Sequence, residues 1–552
     1  MPWNRSALAL WHTVHGAYLL PAVAIGLVLL RYALARRPGS AAQPPRPLLA
    51  SLAVLAALTP FVWTNFFNWH FGGYLNTYEF FHYYLGSKYA DEVGYFDLYN
   101  AVLVADAETG LQYRPPDGGL RDLRTYGGVA VQDVLARSHV LRARFSDARW
   151  REFVGDVGFF KSRMAGPDWI EVLHDHGYNA SPVWSMVVGR LTNRVSTSSS
   201  AGMTGLALLD IALLLGAAAA VAWAFGLWSG LLMLVFLVSC YMLAHVHLKG
   251  ALLRTDFAVC VVLATCLLKK GKSPTAAGAL VGYATLSRLF PAIFLFGPIV
   301  KLAWELRARG KEALSRKNPN VRILAGFAVT LVLFCGASLL WGGGVERWRD
   351  FARKIALHRT VYNHWNVGFT SIAIARFDPS GVSRREALLA RPPEARRWPG
   401  PVFYDPADVK NRALPIHLVQ LAALALCVFA VRRLDLVQAL AFGFVPGFFL
   451  VAPTYYYYLI LLLPFLYFAA IERTLAGTLG LAYLFLSGLL GFTFYYRWDQ
   501  YFPTTYGNSL LLLGLCLGMI ATAWRPTEKR RPAPSRQGGK RRRVASSPRR
   551  LV

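Results

Sequence analysis

Residues 204–226 read TGLALLDIALLLGAAAAVAWAFG, and this stretch indicates the class of fold. Its length matches the ~20 mostly apolar residues with which an α-helix crosses the hydrocarbon core of a bilayer. Ten further apolar runs of helix length occur along the 552-residue chain, so the sequence predicts a polytopic membrane protein. Those runs cover residues 17–35, 48–67, 229–246, 251–268, 322–342, 414–431, 436–452, 455–471, 477–494 and 506–524.

The composition supports this class and excludes three others. Hydrophobic residues make up 55% of the chain and charged residues 16%, whereas a soluble domain has about 45–50% and about 25%. A soluble globule, a disordered chain and a disulfide scaffold are therefore excluded. All six cysteines lie in apolar stretches, where we expect them to pack rather than to form disulfides or bind a metal.

Residues 276–304 form one further apolar segment, which is long for a single helix. A single helix would place the basic flanks Lys269–Lys272 and Lys301–Arg322 on opposite sides of the membrane. A hairpin of two short helices, broken near Phe290-Pro291, places both flanks on one side, and proline favours such a break. We therefore predict an all-α fold with about thirteen membrane-embedded helices, including this short-helix hairpin.

The net charge of +29 is concentrated at the ends of the apolar runs. That pattern is typical of cytoplasmic loops under the positive-inside rule, and it favours membrane topology over nucleic-acid binding. It places the N-terminus outside and the C-terminus inside, in what we expect to be a bacterial inner or plasma membrane. We assign residues 1–525 to the transmembrane domain and residues 526–552, rich in Arg, Ser and Pro, to a disordered basic cytoplasmic tail.

Two long loops, residues 68–203 and 343–413, face outward in this topology. The first holds fifteen of the thirty acidic residues and many aromatic ones, including the amphipathic stretch Trp150–Phe160. Loops of this length are usually functional or disordered, and the aromatic content favours a folded subdomain on the extracytoplasmic membrane face.

The densest polar and aromatic cluster begins this first loop, around Tyr78-Glu-Phe-Phe-His-Tyr-Tyr84. In a helix, Glu79 and His82 lie on one face with Tyr83 beside them. A carboxylate and an imidazole at this spacing can share a proton or hold a divalent ion. The alternative is an interfacial aromatic belt with ordinary solvated charges.

Charged residues inside apolar segments provide a second indication. Arg254 and Asp256 occur near the start of one run, and Arg288 occurs at the predicted break of the hairpin. An ionised group in hydrocarbon costs at least about 2.5 kcal/mol, so it usually faces a partner or a wet cavity. With Lys249, the two arginines suit a phosphate-bearing lipid. An Arg254–Asp256 structural pair and snorkelling of Arg254 to the interface are the alternatives.

The second outer loop contributes His358 and the segment Asn363-His-Trp-Asn-Val-Gly-Phe-Thr-Ser371. Asn and His side chains are suitable contacts for a sugar or a phosphate, so His358, Asn363 and Asn366 are candidate substrate residues. An ordinary interfacial loop explains the same residues.

These motifs together resemble the GT-C superfamily of polytopic glycosyltransferases, especially glycosyltransferase family 87 and its mannosyl- and arabinofuranosyltransferase relatives. The resemblance rests on Glu79-Phe-Phe-His-Tyr-Tyr through Asp97-Leu-Tyr99, on Gly278 through Arg288-Leu-Phe-Pro291, and on Asn366-Val-Gly-Phe-Thr-Ser371. It spans most of residues 50–500.

The resemblance implies transfer of a sugar from a polyprenyl-phosphate donor on the extracytoplasmic side. Glu79 matches the position of the family's catalytic acid, which is usually Asp, with Asp91 and Glu92 as the alternative acidic pair. Arg288 matches the basic residue before proline. Many relatives use a divalent cation, so Mg²⁺ or Mn²⁺ is a possible cofactor, held by Glu79 or by Asp91 and Glu92.

The leading hypothesis is an inverting glycosyl transfer to a glycan, lipid or protein acceptor. Glu79 would deprotonate the acceptor with help from His82, while Arg254, Arg288 and Lys249 bind the leaving phosphate. Tyr83 and Asp256 would support the site. Two other classes of function remain, a transporter or flippase of a lipid-linked glycan and a non-catalytic membrane scaffold.

Overall fold

A computed structural model describes residues 7–37, 43–67, 73–115, 118–378, 402–497 and 502–524. The described chain is mostly helical, with two small two-stranded sheets. The helical content confirms the predicted all-α class, and seven helices in these ranges are long and apolar enough to cross a membrane. The total of thirteen embedded helices and the orientation stay predictions. The seven candidate spans are Gly16–Ala35, Arg46–Trp63, Ser200–Phe225, Pro319–Trp341, Ala413–Val431, Leu475–Tyr496 and Phe502–Trp524.

The chain begins with three helices and then enters a compact region of short elements, residues 73–199. This region has its own core of aromatic side chains, among which Trp169, Trp184 and Tyr84 are completely buried. The predicted amphipathic stretch 150–160 is helical there. The elements are α1 (Ala7–Ala35), α2 (Arg46–Ala57), α3 (Thr59–Trp63), α4 (Thr77–Phe80), a π-helix (Phe81–Leu85), α5 (Gly86–Lys88), α6 (Ala90–Val93), α7 (Leu98–Glu108), β1 (Gly119–Arg121), β2 (Gly128–Ala130), α8 (Val131–Ala136), α9 (Ser138–Arg142), α10 (Asp147–Lys161), α11 (Gly166–Val172) and α12 (Pro182–Thr192). Strands β1 and β2 pair antiparallel, with Leu120 opposite Val129.

The central apolar helices follow, and side-chain caps fix where several of them begin. Ser199 accepts a hydrogen bond from the Gly202 amide, and Ser273 accepts one from the Ala276 amide; such caps satisfy amides that have no partner inside the helix. The elements are α13 (Ser200–Phe225), α14 (Leu227–Ser239), a 3₁₀ turn (Val246–Leu248), α15 (Asp256–Lys269), α16 (Pro274–Ser287), a 3₁₀ helix (Phe290–Leu295), α17 (Phe296–Arg309), a 3₁₀ helix (Gly310–Leu314) and α18 (Pro319–Trp341).

The segment 276–304 is broken at the predicted place. Helix α16 ends at Ser287, and the chain passes through a 3₁₀ helix containing Pro291 before α17 begins at Phe296. The two halves differ in their neighbours: α16 packs mainly on α15 and α18, whereas α17 packs on the first part of the 436–450 segment and also on α18. The break therefore leaves Arg288 at the end of a helix, among side chains from other elements.

The last part of the chain contains a second irregular region and the final apolar helices. Three apolar runs are shorter or more broken than the sequence suggests, because α14 ends at Ser239, 436–450 is interrupted at Gly443, and 455–461 is 3₁₀. The elements are α19 (Gly344–Thr360), α20 (Phe369–Ala373), β3 (Arg376–Phe377), β4 (Val402–Phe403), α21 (Ala407–Asn411), α22 (Ala413–Val431), α23 (Leu436–Ala441), α24 (Phe444–Leu450), a 3₁₀ helix (Tyr455–Leu461), α25 (Leu462–Ala469), α26 (Leu475–Arg497) and α27 (Phe502–Trp524).

Some predictions fall outside the described residues. They concern the basic tail 526–552 and the parts of the two long loops at 68–72 and 379–401. The six cysteines lie within the described ranges and are free thiols. Four of them are buried and two are partly buried, as the prediction of a packing role requires.

Candidate functional site

Glu79 is positioned by a contact between the start of α4 and the segment 245–250. The Asn76 side chain caps α4 by accepting a hydrogen bond from the Glu79 amide (3.1 Å), and its own Nδ2 donates to the Val246 carbonyl (3.0 Å). The Asn76 amide donates to the Gly250 carbonyl (2.9 Å). Gly250 has φ +67°, and a Cβ there would lie 1.7 Å from the Tyr74 carbonyl oxygen, so only glycine permits this close approach.

The Glu79 carboxylate lies between a guanidinium group and an imidazole. Its Oε2 is 2.9 Å from Arg254 Nη2, and its Oε1 is 2.8 Å from His247 Nδ1. The Glu79 and Arg254 side chains are buried, whereas that of His247 is 31% exposed. Burial by itself raises the pKa of Glu79, but Arg254 and His247 outweigh it and hold that pKa below its usual range. The group is therefore an anion at neutral pH.

Arg254 is fixed from both its backbone and its side chain. Its amide donates to Asp210 Oδ2 (2.9 Å), and Asp210 Oδ1 accepts from the amide (2.9 Å) and the hydroxyl (2.6 Å) of Thr255. Since Asp210 belongs to α13, these bonds tie the start of α15 to a spanning helix. The guanidinium donates to the Tyr83 hydroxyl and lies 4.4 Å from the centre of the Tyr83 ring and 4.8 Å from that of Tyr456.

Arg288 approaches the same place from the end of α16. Its guanidinium lies 5.4 Å from the centre of the Tyr83 ring and 5.3 Å from that of Trp184, and its Nη1 donates to the Ser287 carbonyl (3.0 Å). We call Glu79, Tyr83, His247, Arg254 and Arg288 the arginine cluster. The structure thus gathers side chains from the first long loop, the 245–256 region and the broken segment.

Three guanidinium nitrogens of the arginine cluster are buried and lack a hydrogen-bond partner among the described residues. They are Arg254 Nε, Arg288 Nε and Arg288 Nη2. Leaving such a donor unpaired costs about 1–3 kcal/mol, and more when the group is charged. The two arginines therefore offer unused donors to an anion.

Asp256 does not pair with Arg254, so the alternative of an Arg254–Asp256 structural pair is wrong. Its carboxylate accepts hydrogen bonds from the Ser287 hydroxyl (2.9 and 3.0 Å) and the Tyr283 hydroxyl (3.4 Å). The reason is that Asp256 opens α15 and faces α16, whereas the Arg254 side chain, two residues earlier, points towards α4. Asp256 therefore holds the end of α16, next to Arg288.

His82 faces away from the Glu79 carboxylate. The chain changes from α-helix to π-helix at Phe81, and the wider π turn alters which side chains share a face. His82 Nε2 is 2.8 Å from the Tyr99 hydroxyl and 3.9 Å from the Asp175 carboxylate. Burial lowers the pKa of His82, although Asp175 and Glu79 oppose the shift. In this arrangement the Glu79 and His82 side chains are not in direct contact, so they do not share a proton as predicted.

The other candidate substrate residues have different partners. His358 Nδ1 is 3.2 Å from the Tyr126 hydroxyl, and its ring packs against His176. Asn363 accepts from the Trp365 amide (3.0 Å) in a local turn, and Asn366 forms an isolated β-bridge with Thr454. The Lys249 ammonium lies 5.5 Å from the centre of the Trp63 ring.

The acids suggested as metal ligands point to separate places. Asp91 pairs with Arg347 (2.9 Å) at an exposed position, and Glu92 pairs with Arg149 (2.7 Å). Glu79 is engaged by Arg254 and His247, so these three carboxylates do not form a common ligand set. Among the described residues, no group of three His, Cys, Asp or Glu side chains is placed to hold a metal ion.

Sequence reasoning missed two residues of this site. Asp210 is the only charged residue in the run 204–226, and that isolation is a signal that could have identified it. His247 lies in a short polar interval between apolar runs, and only the contact between 76 and 250 brings it to Glu79.

Comparison with known proteins identifies no relative: no protein-family model, no curated protein and no solved structure matches this chain.

Proposed function

We propose that the protein is a membrane glycosyltransferase that takes a sugar from a polyprenyl-phosphate donor and passes it to an acceptor hydroxyl on the extracytoplasmic side. The observation that carries the proposal is the set of three buried, unpartnered guanidinium nitrogens on Arg254 and Arg288. A phosphate offers several strong acceptor oxygens, and arginine is suited to bind them. A lipid donor suits a site built between apolar helices.

The proposed reaction is a displacement at the anomeric carbon with inversion. The acceptor oxygen forms a bond to that carbon, the bond from the carbon to the phosphate oxygen breaks, and polyprenyl phosphate leaves with the bonding electrons. Arg254 and Arg288 stabilise the charge that develops on this phosphate. The acceptor's proton passes to a base on the protein.

We assign the role of base to the Glu79–His247 pair. A carboxylate paired with Arg254 is a weak proton acceptor, because the guanidinium stabilises its anionic form. His247 Nδ1 lies 2.8 Å from Glu79 Oε1 and the side chain is partly exposed, so we assign Nε2 as the nitrogen that takes the proton. Glu79 then orients the imidazole and stabilises its protonated form, as a carboxylate does in other acid–base pairs.

Entry of the phosphate requires movement of aromatic rings. The rings of Tyr456 and Tyr457 lie 4.8 and 5.8 Å from the Arg254 guanidinium. Both tyrosines are partly exposed. We infer that these two side chains cover Arg254 until a donor lipid displaces them.

The experiment uses the full-length protein in lipid nanodiscs, with polyprenyl-phosphate mannose and polyprenyl-phosphate arabinofuranose as radiolabelled donors. We expect release of polyprenyl phosphate from one of them, and loss of at least about 100-fold in Glu79→Gln and His247→Asn, consistent with general-base catalysis. Arg353→Gln, at a position with a 73% exposed side chain, is the matched surface control and should be unchanged. Added imidazole should partly restore activity in a His247→Ala variant.

Two outcomes would contradict the proposal. Movement of labelled lipid across the membrane without release of polyprenyl phosphate would favour the transporter alternative. Unchanged biological function in a folded Glu79→Gln protein would favour the scaffold alternative.

A further inference from the structure

A second site lies far along the chain from the arginine cluster, where α17 and α22 end. A cavity of about 190 Å³ opens there between the last turns of α17 and the residues that follow α22. This volume is large enough for a phosphate group with its immediate substituents, and small enough to exclude a whole lipid. Its lining residues are Lys301, Trp304, Glu305, Ala308, Arg309 and Arg432.

The lining has three cations and one carboxylate, and the carboxylate is already engaged. Glu305 accepts hydrogen bonds from the side-chain amides of Asn318 (2.6 Å) and Asn320 (3.2 Å), which lie at the start of α18. Lys301 donates to the Leu434 carbonyl (2.7 Å), which orients its ammonium at the edge of the cavity. Arg309 and Arg432 are exposed. The cavity therefore has an excess of positive charge, and two of its cations are exposed guanidinium groups.

An aromatic anchor fixes the cavity at the end of a spanning helix. The Trp304 indole donates to the Val428 carbonyl (3.1 Å), and the Arg432 guanidinium lies 5.1 Å from the centre of the Trp304 ring. Tryptophan is enriched where a membrane meets water. Because α22 is a candidate span and ends at Val431, a bilayer crossed by this helix would place the cavity at the depth of the lipid headgroups.

The apolar surface beside the cavity distinguishes a lipid from a soluble anion. Phe429 is 54% exposed and its ring packs 6.0 Å from that of Trp304. An exposed phenylalanine next to a basic cavity offers a surface for an acyl chain, which a free phosphate would not use.

We propose that this cavity binds the headgroup of an anionic phospholipid, with its phosphate between Arg309 and Arg432 and an acyl chain along Phe429. Basic residues near an anionic membrane surface strengthen such binding. The site is independent of the glycosyl-transfer proposal, because it shares no residue with the arginine cluster.

The test measures immobilisation of spin-labelled phosphatidylglycerol on the purified full-length protein in phosphatidylcholine nanodiscs. The variant Arg309→Gln/Arg432→Gln removes the two guanidinium groups of the cavity. The matched control Arg307→Gln/Arg322→Gln removes the same charge from an exposed and a half-buried position, neither of which lines the cavity. We expect the cavity variant to lose affinity at least about tenfold, and the control to bind like the wild type.

Three results would overturn this proposal. The first is unchanged lipid binding in the cavity variant. The second is an equal loss of affinity in the cavity variant and the control, which would indicate only diffuse surface charge. The third is equally strong competition by inorganic phosphate, which would indicate a site for soluble anions. Thermal unfolding of each variant accompanies the binding measurement, and the conservative variant Arg309→Lys/Arg432→Lys tests the site if the glutamine variant does not fold.

Discussion

The arginine cluster and a second group of buried cations differ in how they keep their charge. The second group consists of Lys354, Tyr126 and His358, and we call it the lysine cluster. Lys354 is completely buried beside the Tyr126 ring. Its ammonium donates a long hydrogen bond (3.4 Å) to the Leu123 carbonyl. Burial lowers the pKa of Lys354 to about 7, and that of the neighbouring His358 to about 4. Arg254, by contrast, has a carboxylate at 2.9 Å.

The difference shows why the two clusters suit different purposes. A lysine can lose its proton when burial disfavours the charge, whereas an arginine remains charged in essentially every protein environment. The arginine cluster therefore keeps a permanent positive charge for an anion. The lysine cluster becomes neutral near physiological pH, which makes its stability dependent on pH.

The largest expected effect comes from breaking the Glu79–Arg254 pair. Arg254→Met leaves a buried carboxylate without its main partner, which should reduce the free energy of unfolding by roughly 3–5 kcal/mol. Glu79→Gln/Arg254→Met removes both charges and should recover much of that loss. Denaturation in detergent micelles checks both variants, and additive losses in the double variant would contradict the pairing.

A smaller effect is expected in the lysine cluster. The pKa of Lys354 is lower in the folded protein than the ordinary value of about 10.4, so between pH 7 and that value the unfolded chain binds more protons. Stability should therefore rise with pH in this interval, by about 2 kcal/mol between pH 7 and 9.

The variant Lys354→Met isolates this contribution. Because methionine does not titrate, the rise from Lys354 should vanish in that variant, while Lys410→Met, at an exposed position, should keep it. The midpoint of thermal unfolding, measured from pH 7 to 9, compares the three proteins. Parallel curves for wild type and Lys354→Met would show that Lys354 is not buried in this way.

The smallest effect is expected at Asp91, which belongs to neither cluster. Its side chain is 88% exposed, although it pairs with Arg347, and exposed ion pairs contribute about 0–1 kcal/mol. Asp91→Asn should change stability by less than about 0.5 kcal/mol and leave glycosyl transfer unaltered. A strong loss of transfer in a folded Asp91→Asn protein would move the acid–base role away from Glu79.

The sequence identifies the apolar helices because a bilayer imposes a strict requirement. Backbone groups in hydrocarbon must be paired within a helix, so long apolar runs such as 204–226 and 322–342 have few other structures available. The secondary structure of the shorter apolar runs is less strictly determined by their sequence. Residues 229–246 form a helix only as far as Ser239, since Cys240 adopts an extended conformation and the chain then turns towards Gly250.

The site is only partly predictable from the sequence. Glu79, Arg254 and Arg288 each stand out as charges in apolar or aromatic surroundings, which is a local property. The partner of Glu79 depends on the close approach of Gly250 to Tyr74, and the direction of His82 depends on a π turn. Neither is encoded in a short motif, so His247 was missed and His82 was expected at the carboxylate.

The most direct test of the central claim is a cryo-electron microscopy structure of the full-length protein with a polyprenyl phosphate in nanodiscs. We predict phosphate density within hydrogen-bond distance, about 2.7–3.2 Å, of Arg288 and Arg254, with the Tyr456 and Tyr457 rings displaced. Lipid phosphate bound elsewhere, with Arg254 still covered by these rings, would contradict the account.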